Sequence, residues 1–307
     1  MHRHHAVIFA ALFAFLLVAP FVLYPIFLMN VLCFALFACA FNLLLGFGGL
    51  LSFGHAAFFG TASYLAAHAA KVWGLTPELA ILTGAFSAAL LGLAIGALAI
   101  RRLGIYFAMV TLAFAQMVYF FSLQAAFTGG EDGIQAVPRG HLFGLVDLRA
   151  DLALYFVVLA IVFGGLLLIY RIIHSPFGQV LKAIRENEAR AVSLGYRVNR
   201  YKLAVFVLSA GLSGLAGATK AIVFQLASLT DVHWTMSGEV VLMTLIGGMG
   251  TVFGPLVGST IIVTMQNYLA GFGAWVTVIQ GAIFVISVLL FREGIIGVIV
   301  KQIRKPL

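Results

Sequence analysis

Of 307 residues 63% are hydrophobic and 9% charged, and a mean hydropathy of +1.12 leaves more apolar surface than a soluble fold can bury. The formal charge of +8 would suggest nucleic acid in a soluble protein, but the basic residues gather in a few segments between apolar runs, the pattern of membrane orientation. Composition therefore excludes a soluble nucleic-acid binder and specifies a polytopic membrane protein.

Ten apolar runs are predicted as helices: about 6–24, 26–46, 51–70, 79–100, 104–122, 152–171, 203–224, 237–249, 252–270 and 273–291. They define an all-α, polytopic integral membrane protein with about 8–10 transmembrane helices, forming a single transmembrane domain over residues 1–307. The first run follows a basic start as a secretory signal would, yet has no small-x-small cleavage site, so it is read as a retained span. Cys33 and Cys39 share the second run about 9 Å apart along the helix, so they cannot pair and are read as packing residues.

With the N-terminus inside, Arg3, Arg101, Arg102, the 171–202 loop, Arg292, Lys301, Arg304 and Lys305 fall on one side. Glu78, the 123–151 loop and Asp231 fall on the other. This bias predicts that both termini are cytoplasmic. The 123–151 loop is either a resting place for an external partner or a solvated connector.

Two glycine-rich segments interrupt the apolar runs. Gly46-Phe47-Gly48-Gly49-Leu50-Leu51-Ser52-Phe53-Gly54 and Gly247-Gly248-Met249-Gly250-Thr251-Val252-Phe253-Gly254 share a Gly-Gly then Phe-Gly order, and each joins an inward-running span to an outward-running one. Such hairpins are expected near the bundle centre, where irregular backbone either packs helices closely or lines a path. Gly211, Gly214 and Gly217 on the seventh run are expected to be packing residues.

Between the sixth and seventh runs lies a charged island, residues 171–202, with seven of the eighteen Lys and Arg. Val180, Leu181, Ile184, Ala191 and Leu194 recur there at roughly helical spacing, which predicts one short amphipathic helix over 177–195 built to dock a partner.

No catalytic constellation is present. His-Glu-x-x-His, Cys-x-x-Cys and Gly-x-Ser-x-Gly are all missing, and Gly214-Leu215-Ala216-Gly217-Ala218-Thr219-Lys220 lacks the Gly before Lys and the hydroxyl after it that a phosphate loop needs. No enzyme chemistry and no metal site are therefore expected on this chain. Only Glu239 is read as a carboxylate near a span, in the first turn of a helix that Ser237 would cap. Asn42, Ser52, His55, Thr111, Gln116 and Glu239 are the candidate translocation-path residues; Asn42, Ser52, Thr111 and Gln116 are equally suited to bonding a neighbouring helix, His55 is more often a hydrogen-bonded structural residue, and the alternative for Glu239 is a helix-start carboxylate.

The segment from Asn42 to Gly60, Ala183-Ile184-Arg185-Glu186-Asn187-Glu188 with Leu194-Gly195, Tyr201-Lys202-Leu203, and Ser237-Gly238-Glu239 leading into the second glycine-rich segment resemble the branched-chain amino acid ABC transporter permeases of LivM type. The resemblance runs from about residue 30 to Phe291-Arg292-Glu293-Gly294. It implies a subunit of a bacterial inner-membrane importer that works with a sister permease, two ATPase subunits and a periplasmic binding protein. No cofactor is implied on this chain, with ATP and Mg bound by the ATPases. It also implies that Arg185, Glu186, Asn187, Glu188, Arg190 and Gly195 couple the chain to an ATPase. Urea, short amides and other apolar or aromatic amino acids are alternative cargoes, and an ion-coupled secondary carrier is the rival class.

Overall fold

A computed structural model describes residues 3–144, 146–273, 275–290 and 294–303. Arg292, Arg304 and Lys305, assigned above to the inner side, lie outside them, as does the Phe291–Glu293 end of the resemblance. The described chain is helical almost throughout. Its helices are α1 (Arg3–Val18), α2 (Pro25–Asn42), α3 (His55–Lys71), α4 (Pro77–Ala99), α5 (Ile105–Gln124), α6 (Asp151–Ile173), α7 (Pro176–Glu186), α8 (Glu188–Ser193), α9 (Val198–Phe224), α10 (Trp234–Gly247), α11 (Gly254–Leu269), α12 (Trp275–Leu290) and α13 (Gly294–Ile303).

Each of the ten predicted runs coincides with a helix. By length and composition five segments can each cross a membrane: Pro25–Phe47, α4, α5, α6 and α9. The remaining five apolar helices have 14–17 residues. The glycine-rich segments account for part of this shortening. The run predicted from residue 51 becomes helical only at His55, because residues 49–54 are spent on a turn.

The Pro25–Phe47 span is 83% buried and sits at the centre, whereas α5, 28% buried, lies at the edge. Around this centre α9 packs on α4, α3 and α2, while α10 and α11 pack on each other and on α2. Small residues set the spacing. Gly84, Ala88, Gly92 and Gly96 form a four-residue repeat on α4. A Cβ on Gly92 would lie 2.5 Å from that of Ala210, and one on Gly96 2.8 Å from the Phe206 ring. In a bilayer, where helices gain nothing by hiding from oil, such close backbone approach supplies the packing energy. The opposite face of α4, with Leu82, Phe86, Leu90 and Leu93 exposed, presents large apolar side chains outward.

The two ends of the bundle differ. At one end the loop between α5 and α6 is tied down. Ile134–Gln135 pairs antiparallel with Leu226–Ala227, with Ile134 opposite Ala227. Lys71 donates to the Gln135 carbonyl at 2.7 Å, Arg139 donates to Asp151 and to the Val223 carbonyl, both at 2.8 Å, and the Phe143 amide donates to Glu78. The opposite end carries α7, α8 and both glycine-rich turns.

Candidate functional site

The two glycine-rich turns, 200 residues apart in sequence, meet face to face. The chain enters the first through a π-helical turn, Leu43–Phe47, a wider coil than the α-helix it terminates. Asn42, buried at that junction, donates through Nδ2 to the Thr251 carbonyl at 2.8 Å and accepts the Gly250 amide on Oδ1 at 2.9 Å. One amide side chain thus satisfies a donor and an acceptor of a turn that has no regular structure to satisfy them. A Cβ on Gly46 would lie 2.6 Å from the Gly250 nitrogen, so the contact requires glycine. Asn42→Ala leaves both Gly250 and Thr251 groups orphaned and is expected to cost about 2 kcal/mol. Ser52→Ala, which removes one local bond to the Gly54 amide, is expected to cost about half as much. Thermal unfolding of the purified variants in detergent checks both.

Two adjoining cavities of about 450 and 430 Å³ share Gly49, Leu50 and Gly104. The first is also lined by Arg185, Glu188, Lys202 and Met249, the second by Leu51, Phe53 and Phe107. They place space of small-solute size against the first glycine-rich turn, at the end carrying α7 and α8.

The single amphipathic helix expected over 177–195 is two. Asn187 is extended, and its Oδ1 accepts the Arg190 amide at 2.9 Å, so it ends α7 and caps α8. Ser175 and Pro176 start α7 in the same way. Beneath the pair, Ile184, Ala191 and Val198 form a small core of their own, with Val180 and Tyr201 against it. Lys202, buried on α9, pairs with Glu188 at 2.8 Å. Outward, Glu186, Asn187, Arg190, Leu194 and Tyr196 line a groove of about 250 Å³, with Val192 and Leu194 among the exposed apolar side chains. Gly195, at φ +88°, turns the chain out of α8 toward α9.

Four candidate path residues hold backbone or core. Asn42 and Ser52 bond the turns as described. Thr111 of α5 accepts the Phe53 amide at 3.2 Å and donates to the Ala108 carbonyl. His55 is fully buried, with Nε2 2.8 Å from Ser209 Oγ and the rings of Phe41, Phe58 and Phe206 around it, while Ser209 itself donates to the Ala40 carbonyl. Gln116 is half-buried on α5.

Glu239 also differs from expectation. Helix α10 begins at Trp234, with His233 as its cap, so Glu239 stands in the second turn. Ser237 is committed elsewhere, accepting the Ala56 amide at 2.9 Å. Glu239 is also not the sole charge near a span. Lys220 of α9 is ion-paired with buried Asp231, and its ammonium lies 5.7–6.0 Å from the ring centres of Phe34, Phe59 and Phe224. The sequence shows Lys220 and Asp231 eleven residues apart on either side of a turn, which is the only signal that could have joined them.

Residues 23–288 match the protein family described as the permease component of the branched-chain amino acid transport system. The chain is 28% identical over 246 residues to the high-affinity branched-chain amino acid transport system permease protein LivM of Salmonella typhimurium, a match covering 73% of this chain and 58% of that one. It is 28% identical over 240 residues to LivM of Escherichia coli, covering 71% and 56%, and 31% identical over 195 residues to the ribose import permease protein RbsC of Bacillus subtilis, covering 58% of each. The chain thus spans under three fifths of the length of these curated relatives. No solved structure matches it.

Proposed function

This chain belongs to the family of permease components of branched-chain amino acid transport systems, and from that premise we propose that it is a membrane subunit of an ATP-driven importer of leucine, isoleucine and valine. The observation that carries the mechanism is the α7–α8 platform beside the paired glycine-rich turns. A groove lined by Glu186, Arg190 and exposed Leu194 suits a protein partner that buries an apolar contact beside charged groups. That partner is an ATPase subunit, which places the platform in the cytoplasm and the strand-paired loop in the periplasm of a bacterial inner membrane, facing a solute-binding protein. The cavities beside Gly49 and Gly104 form the vestibule on the cytoplasmic side. A second, related permease completes the path, and ATP and Mg are held by the ATPases.

Of the six carried-over coupling residues, Glu186, Asn187, Arg190 and Gly195 belong to the contact surface, Asn187 by fixing the break between the helices and Gly195 by turning the chain out of α8. Arg185 and Glu188 bond within the chain. Cargo selection rests largely on the binding protein, since the path has few polar groups to grip a solute.

Reconstitution with the candidate sister permease, ATPases and binding protein tests the reading. Labelled leucine is expected to accumulate only with ATP. Leu194→Asp is expected to weaken ATPase-subunit binding about 30-fold, the effect of losing one apolar anchor. Accumulation of ribose or urea in place of leucine would replace the cargo, and leucine accumulation without ATPase subunits would overturn the importer reading.

A further inference from the structure

We propose that Arg185 is a positioning residue for transport: it fastens α7 to both glycine-rich turns, so that displacement of the α7–α8 pair is delivered to the Gly46 carbonyl and, through Asn42, to Gly250. The proposal rests on the importer reading but makes a claim about this chain alone.

The last carbonyls of a helix have no amide four residues on to accept from, and a cation placed there also meets the negative end of the helix dipole. At the end of the π-helical turn the Gly46 carbonyl accepts from Arg185 Nη1. The arginine stem lies over Gly49, whose φ of +70° lets the chain bend beneath it, and a Cβ there would be 3.0 Å from Arg185 Cγ. At Gly250, φ +78°, a Cβ would be 3.3 Å from Nη1 and 3.4 Å from the Gly46 oxygen. One guanidinium therefore sits where the two turns touch.

A second contact repeats the direction. Lys182, one helical turn earlier, lies 5.8 Å from the centre of the Phe47 ring, so the same face of α7 meets the first turn twice. On the far side of the contact, Asn42 grips Gly250 and Thr251. The sequence of contacts is continuous: α7, Arg185, the Gly46 carbonyl, Asn42, Gly250 and then α11. Its elements are a π-helical turn and two turns rich in glycine, backbone that changes conformation with less hindrance than α-helix. Ile184 of α7 and Ala191 of α8 share one small core, which joins the two helices, and Glu188 ties the start of α8 to α9 through Lys202.

The test uses Arg185→Ala and Arg185→Lys in the reconstituted complex. Arg185→Ala is expected to keep ATPase-subunit binding and ATP hydrolysis while uptake falls about tenfold, and Arg185→Lys, which keeps one charged donor, to restore part of it. Loss of ATPase-subunit binding would make Arg185 a docking contact and overturn the proposal. Unchanged uptake, or uptake and hydrolysis falling together, would overturn it as well. A second measurement needs only the purified chain. With spin labels at Gln179→Cys and Met249→Cys in a Cys33→Ala, Cys39→Ala background, Arg185→Ala is expected to broaden the label-to-label distances. An unchanged distribution would overturn the proposal even if the wild-type complex transports. A broadened one in a complex that moves no solute would leave the fastening in place and sink the importer reading instead.

Discussion

Asp231→Ala is expected to destabilise the protein by about 3–5 kcal/mol, because it leaves the Lys220 ammonium without a counter-ion in an apolar surrounding. Asp231 is 1% exposed and the Lys220 side chain 16%, so water screens the pair little. Around the ammonium stand Phe34 of α2, Phe59 of α3 and Phe224 of α9, whose ring faces supply part of the compensation but no formal charge. Lys220→Met, which leaves the more deeply buried Asp231 carboxylate without its cation, is expected to cost at least as much as Asp231→Ala. The double replacement Lys220→Met with Asp231→Ala should recover part of either single loss. Thermal unfolding of the four proteins in one detergent gives the cycle. Strictly additive losses would show that the two side chains are not energetically coupled.

Gly217→Ala is expected to cost about 3 kcal/mol, a large penalty for one methyl group. On α9 a Cβ at residue 217 would stand 2.8 Å from the Phe59 carbonyl carbon and 3.1 Å from its Cα. The obstacle is backbone, which cannot rotate aside, so α3 and α9 must separate and lose contact along their length. Gly164→Ala on α6 is the control. Nothing lies within 4 Å of its added Cβ, and alanine's better helix propensity should leave that variant neutral or more stable by about 0.5–1 kcal/mol. If both substitutions behave alike, close packing at Gly217 is not what holds these helices together.

Helix placement was legible in the sequence because long apolar runs have few alternatives in a membrane. Internal detail was less so, for reasons that differ by site. Asn187 breaks the amphipathic segment because its Oδ1 accepts a capping bond from the Arg190 amide. The apolar spacing on either side continues nearly in phase, so periodicity alone sees one helix. The start of α10 was misplaced because Ser237, a good cap by type, is drawn to the Ala56 amide of another helix, and capping preference carries no information about distant competitors. Lys220 looked like the end of a phosphate loop that fails, and its partner Asp231 looked like an isolated loop acid. Only the turn between α9 and α10 makes them neighbours. The glycine-rich segments were recognisable as a pair, but that Asn42 would bond one turn to the other is a contact between residues over 200 positions apart. Composition also hid the character of the candidate path residues: Thr111 and His55 are polar by type, yet in place they serve backbone and core.

The strand-paired end of the bundle has a mechanical consequence. Pairing of residues 134–135 with 226–227, reinforced by the Arg139 bonds to Asp151 and Val223, anchors α9 where it leaves the bundle. With that end as fulcrum, the 27 residues of α9 make a lever about 40 Å long. A tilt of about 5° at the anchored end sweeps the opposite end through about 3.5 Å, enough to exchange one set of hydrogen-bond partners for another. Lys202 sits at that opposite end, so any such tilt would carry α8 along through Glu188.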